Sequence, residues 1–487
     1  MKRTILFFVP FAVLITCAKG PKPEDILVRL DDKVITKEDF LKRTELAVRP
    51  APLMKKEIAL NNLILEKMLA VEAEKNEPII DRPAFDAYIK GIQEQEMREM
   101  LFEKHAVDKV SVTDEEIEHR FNMSMRDYRV AYYSINNEKT ALTIKQNIKD
   151  NPEQAAAIFD ELGDGKPPVR EVKWKDPDPR VVHEALYANP INLNAVIGPI
   201  KTDADTYIIM KILAWKDQPF ISPEDAQVRK KEVKDRLTLT KAQVKWDEYV
   251  GKLMHGKGIN FNEDTFNRMM RFYATLFSEK DQEKKEILVN NFFKNPEEMK
   301  ASDDPDENVV SKDAPFFEID GKVWTVRDFV TAIASHPLVY RNKNIQRSQF
   351  PNQFKYAVAD LVRDQYLDRE AYKESLDKSE RVRDTVNMWK DANIAYYYRN
   401  KIVKNAIQSG QIAATDKLAR RAFWESYVDS LYHKYQNNLQ INHPEFDKIK
   451  LTGMGLAAYR PNHPYPMASP AFPQYTSDPL PETGGNQ

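Results

Sequence analysis

The chain has 487 residues, enough for two or three domains. Its 73 basic and 75 acidic residues nearly cancel, which removes the electrostatic reason to expect nucleic acid or a strongly acidic partner. Only 14 glycines argue against a glycine-rich phosphate site or an all-β architecture, and long Glu/Lys/Ala/Leu-rich stretches predict a mainly helical protein.

The N-terminus sets the expected compartment. Lys2 and Arg3 precede an apolar run from Ile5 to Ile15, too short for a permanent span and suited to a secretory signal peptide. The run ends at Leu14-Ile15-Thr16-Cys17, an apolar residue three before the cysteine and a small one next to it, which resembles a bacterial lipobox. Cys17 is the single cysteine, so no internal disulfide can form, and diacylglyceryl transfer would consume its thiol. The expectation is a signal peptide over 1–16, lipid attachment at Cys17 and a tether over 17–25. An ordinary cleaved signal with an incidental cysteine is the alternative. Ala18 follows the cysteine, which favours the outer membrane facing the periplasm. In a one-membrane cell the same anchor would place the chain on the outer face of the plasma membrane or cell surface.

A hairpin is predicted next, with strands Ile26–Leu30 and Lys33–Ile35 around Asp31-Asp32, and Thr36 capping a helix with Asp39 at its third position. The segment "IALNNLILEKMLAVEAEK" reads as a helix with Leu60, Ile64, Met68 and Val71 on one face. Another helix opens near Asp81-Arg82-Pro83, and Thr113 with Glu116 forms a capping box for a third. From Arg129 the pattern changes to strand, helix, strand "VREVKW", short helix "PRVVHEALYA" and a closing strand within "GPIKTDADTYIIMKI". Ser222 and Pro223 then start a long helix.

An internal echo follows: "DGKVWTVRDF" restates "DDKVITKEDF", and "FWESYVDSLYHKYQNNLQINHPEF" restates "KWDEYVGKLMHGKGINFNEDTF". The expected division is a helical domain over 26–127 plus 216–265, an inserted α+β module over 128–215, a helix and acidic linker over 266–313, a second hairpin-helix unit over 314–450, and a Pro-rich extended tail over 451–487. The tail cannot bury a core alone and is expected to lie free or on a partner.

The hairpin, the helix "LNNLILEKMLAVEAEK", the helix "VTDEEIEHRF" leading into "YRVAYYSI", the closing "GPIKTDADTYIIMKI" and the helix from Ser222 together resemble the SurA/PrsA-type extracytoplasmic foldases. That resemblance implies a parvulin-like prolyl isomerase module inserted in a helical chaperone domain, with unfolded envelope proteins as clients. It also implies one histidine on the first strand of the module and one on the last. Here the first place is taken by Tyr132; in the closing strand Tyr207 stands in the second place, or Ile208 if the frame shifts by one. Val182 is smaller than the phenylalanine the resemblance implies for the proline clamp. A pocket made of Tyr132, Tyr207 and Val182 is therefore expected to be catalytically silent.

His183 is expected at the surface or as a cap, and the eight histidines show no metal-ligand spacing, so no metal or cofactor is expected. The function expected is a tethered periplasmic chaperone for unfolded or assembling envelope proteins. An active prolyl isomerase is one alternative. The other is an accessory lipoprotein held in a stable membrane or secretion complex.

Overall fold

The computed structural model describes residues 23–46, 55–76, 82–163, 165–176, 178–202, 206–219, 222–278, 310–341, 345, 347–451 and 469–480. The expected signal peptide, Cys17 and residues 279–309 of the expected linker lie outside these residues. The described chain is mostly helical with three small antiparallel sheets, and no described helix is long and apolar enough to cross a membrane. Its residues fall into two compact units: one is Glu99–Gly256, and the other combines those up to Arg98 with those from Lys257 onward.

In the larger unit, β1 (Ile26–Leu30) and β2 (Lys33–Thr36) form the expected hairpin, with Asp31 at φ 52°. The Thr36 hydroxyl accepts from the Asp39 N–H at 3.0 Å, and the Asp39 carboxylate accepts from the Thr36 N–H at 3.0 Å, starting α1 (Lys37–Leu46). The second hairpin repeats this geometry. β8 (Pro315–Ile319) and β9 (Lys322–Thr325) turn at Asp320, also φ 52°, and Thr325 with Asp328 boxes the start of α10 (Val326–Ser335).

The strand pairings cross the boundaries of the expected division. The third strand of the first sheet is β10 (Leu439–Ile441), with Val28 opposite Ile441. The third strand of the second sheet is β7 (Asn260–Phe261), with Phe261 opposite Phe317. The first hairpin thus takes its third strand from the other half of the chain, and the second from about 55 residues before it. A two-stranded ribbon is marginal alone and leaves an open edge, and β10, in covering that of the first hairpin, ties 26–98 to 257–451 in one unit. The stretches 99–127 and 216–256, expected with the helical domain, group instead with 128–215.

Helix α2 (Lys56–Lys75) is buried from Ile58 to Glu66 and again from Met68 to Ala73, well beyond the single face expected. A helix apolar on most sides belongs inside a core, here among α12 (Glu380–Gln408) and α13 (Lys417–Tyr435), which contribute Ala395, Trp424, Val428 and Leu431. Its buried charges are paired: Arg43 donates twice to Glu66, at 2.6 and 2.8 Å, and Asp391 accepts from Lys33 and Lys67 at 2.9 and 2.6 Å. The second hairpin covers a separate core rich in rings, built with α9 (Glu263–Ser278) and α11 (Phe350–Lys373).

In the smaller unit, α4 (Asp114–Met123) carries the expected Thr113–Glu116 box. It leads into β3 (Arg126–Ile135) of a four-stranded antiparallel sheet ordered β4-β3-β6-β5, where β4 is Val169–Val172. The stretch expected as one closing strand is a hairpin of β5 (Val196–Lys201) and β6 (Tyr207–Asp217). Gly198 lies inside β5 at φ 105°, where a Cβ would come within 2.6 Å of the Ile208 carbonyl oxygen, so only glycine lets the two strands close there. Helices α5 (Glu138–Asp150) and α6 (Ala155–Asp160) pack on one face of the sheet. On the other lie α4, α7 (Arg180–Tyr187) and α8 (Pro223–Leu253), the last capped by Ser222 as expected.

Candidate functional site

The two faces of the four-stranded sheet decide where the expected pocket residues go. On β3, Tyr132 stands opposite Met210 of β6, and Ile135 stands opposite Tyr207, with no register shift between them. Side chains alternate along a strand, so Met210 and Ile208 share the face of Tyr132, while Tyr207 points to the other. The cores agree: Tyr132 and Ile208 edge the cluster of Tyr128, Met210 and Val182, whereas Ile209 and Ile135 belong to that of Ile144 and Phe159. The structure therefore brings Tyr132 and Val182 to one side and puts Tyr207 across the sheet. Of the two frames open from sequence, the shifted one supplies the neighbour of Tyr132, and it is Ile208.

Tyr207 has its own partners. Its hydroxyl donates to Glu138 Oε1 at 2.7 Å, and the Lys201 ammonium lies 3.4 Å from the same oxygen. The hydrogen bond from Tyr207, and then Lys201, hold the Glu138 carboxyl below the usual range, and the same bond pushes the Tyr207 phenol up. This fixes the end of β6 to the start of α5.

On the Tyr132 face, β4 places Arg170 beside it: Arg170 pairs with Val130, and its guanidinium carbon lies 5.9 Å from the Tyr132 ring centre. Arg170 also binds Asp178, whose second carboxylate oxygen is buried without a hydrogen-bond partner among the described residues. A phenol, a guanidinium and a carboxylate thus sit where an imidazole pair was implied. Val182 is fully buried beneath them, 1% exposed. His183, expected at the surface, is buried as well. Its ring lies 4.5 Å from Trp174 and 4.6 Å from Tyr187, and burial depresses its pKa to about 3, so it is a neutral core residue. The apolar faces of α7, β4 and α8 meet there, which a short helix read alone does not reveal.

The larger unit holds a second arrangement, unmarked by any motif. Residues 469–480 of the Pro-rich tail lie without helix or strand against α2 and α13. Asn62 Oδ1 accepts from the backbone N–H groups of Tyr475 and Thr476, at 2.6 and 3.1 Å, and its Nδ2 donates to the Thr476 carbonyl at 2.9 Å. Asn61 Nδ2 donates to the carbonyls of Asp478 and Pro479, at 3.0 and 3.1 Å. Trp424 Nε1 donates to the Tyr475 carbonyl at 2.7 Å, and Arg43 to that of Ala471 at 3.3 Å. Pro470, Phe472, Pro473 and Tyr475 are buried, while Ala471 and Gln474 face outward. The one signal in sequence was the Asn61-Asn62 pair set between apolar residues of α2.

No family model matches the chain. Over 237 residues, 45% of this chain and 83% of the relative, it is 23% identical to the foldase protein PrsA of Geobacillus sp. (strain WCH70). It is weakly homologous to a PrsA foldase. The crystal structure of foldase protein PrsA from Streptococcus pneumoniae aligns with 45% of this chain and 93% of its own, at 13% identity and a TM-score of 0.18, too low to carry weight alone.

Proposed function

We propose that this chain is a PrsA/SurA-like chaperone that binds unfolded or assembling envelope proteins without catalysing prolyl isomerisation. It is anchored by lipid at Cys17 in the outer membrane and faces the periplasm. The weak homology to a PrsA foldase supports the general class. The observation that carries the absence of catalysis is the register across β3 and β6, which sets Tyr132 beside Ile208 and Met210 and sends Tyr207 to the opposite face. Isomerisation must lower a barrier of about 18–20 kcal/mol by favouring the twisted amide over both planar forms. A face offering one phenol, an aliphatic side chain and a guanidinium already held by Asp178 has no pair of imidazoles to do so. The two hairpin-helix regions are, in this reading, copies of one ancestral unit.

The test uses the whole mature chain in two assays. Proline-peptide isomerisation at high protein concentration is expected at the uncatalysed rate, and a clear acceleration would replace this reading with an active isomerase. Aggregation of an unfolded envelope protein is expected to be suppressed. Failure to bind any unfolded chain, together with recovery of one stoichiometric membrane partner, would point to an accessory lipoprotein instead.

A further inference from the structure

Asn61 and Asn62 lie deep in the larger unit, 2% and 0% exposed, on a helix whose buried residues are mostly leucine, isoleucine and alanine. Buried amides are costly unless hydrogen-bonded. Most of their hydrogen bonds go to the backbone of residues 475–479, together with an i→i−4 bond from Asn62 to Ile58 and one that Asn61 accepts from Tyr432. Trp424 and Arg43 likewise reach backbone carbonyls of the tail. The groove thus reads peptide N–H and C=O groups in sequence, leaving side-chain identity to apolar sockets filled by Phe472 and Tyr475. Main-chain bonds with alternating sockets are the way proteins hold extended polypeptide of varied sequence.

We infer that this groove between α2 and α13 is the site for extended client polypeptide, and that residues 469–480 occupy it as a tethered stand-in. This rests on the chaperone reading above. The favoured client segment is extended, without helix, and carries an aromatic or a proline at every second or third position, as the buried residues of the tail do. A ligand joined to its own site by residues 452–468 has a high effective concentration, so a client must displace it and binds the intact chain more weakly than the open groove.

The experiment uses the full mature chain, with Phe472→Ser plus Tyr475→Ser to empty both sockets while keeping the chain length. The probe is fluorescently labelled, reduced and carboxymethylated α-lactalbumin, a permanently unfolded protein, read by anisotropy. The emptied chain is expected to bind it at least about tenfold tighter than the parent. An excess of a synthetic peptide spanning 469–480 should reverse that gain, and adding Asn62→Ala should remove it. Should the double substitution unfold the chain, Tyr475→Ser alone serves, with a smaller gain. Equal affinity in parent and emptied chain, while the labelled 469–480 peptide binds the emptied chain, overturns the inference and leaves the chaperone reading intact, with clients bound elsewhere. If that peptide rebinds but no variant binds unfolded α-lactalbumin or any unfolded envelope protein, the chaperone reading fails and takes the inference with it.

Discussion

The two hairpin regions share a local plan and close it differently. Both turn at an aspartate with φ 52°, both cap the next helix with a threonine–aspartate pair, and both take a third strand from outside the hairpin, the first from the far end of the chain and the second from about 55 residues before it. Behind the second hairpin the space is filled by rings. Phe354 lies 5.4 Å from Tyr273 and 5.5 Å from Phe266, and Val358, Leu361 and Val362 complete a closed apolar core. Behind the first, α2 brings leucine and isoleucine but also two asparagines, and the surface is finished by a detached piece of chain. The difference teaches that the local code of a hairpin specifies the scaffold and not what seals it. One region is sealed by its own side chains, the other by a strip of backbone.

Five substitutions test that contrast, in descending order of effect. Phe354→Ala, at 0% exposure in the ring-filled core, is expected to cost about 3–5 kcal/mol in urea unfolding. A cost under about 1 kcal/mol would mean that core is loosely filled after all. Asn62→Ala should cost about 1–3 kcal/mol, because it orphans backbone groups of the tail. In a chain lacking 469–487 the same substitution should cost nothing or stabilise, and an undiminished cost there breaks the assigned partnership. Thr36→Ala and Thr325→Ala should each cost about 1 kcal/mol and by similar amounts. Unequal losses would show that the shared caps are not equivalent. The smallest effect is electrostatic. Asp384 has its pKa raised to about 6 by partial burial and then by Asp39 and Glu380. Because the folded-state value exceeds the ordinary 3.8, protonation favours the fold, and this contribution is lost as pH rises from about 4 through about 6. The side chain is largely exposed, so Asp384→Asn should flatten only a few tenths of a kcal/mol of that pH dependence, measured from pH 4 to 7.

What could be read from sequence was what neighbours in the chain decide. The caps at Thr36, Thr113 and Ser222 form as expected, because a hydroxyl and a backbone N–H three residues on meet whatever lies beyond. Strand pairing obeys longer rules. The strand at Asn260 joins the nearer hairpin and the strand at Gln440 the distant one, a choice that no local pattern around either segment announces. At the sheet face, Tyr132 is placed on β3 as expected, but the side on which Tyr207 emerges depends on a register that one residue reverses. Gly198-Pro199 stands in a stretch expected as one closing strand, which hid the turn that makes it two. Asn61 and Asn62 drew no reading from sequence, since their partners in the tail lie more than four hundred positions away.

The distant third strand of the first sheet also sets a timetable. The Asn442 side chain donates to the Ile26 carbonyl across 416 positions, so the first sheet cannot be finished until almost the whole chain has been made. At a synthesis rate of about 5–20 residues per second that delay is roughly 20–80 s. Throughout it the first hairpin shows an unpaired edge and α2 lacks its cover. Newly made copies therefore pass through a partly assembled state with an open sheet edge until the last strand arrives.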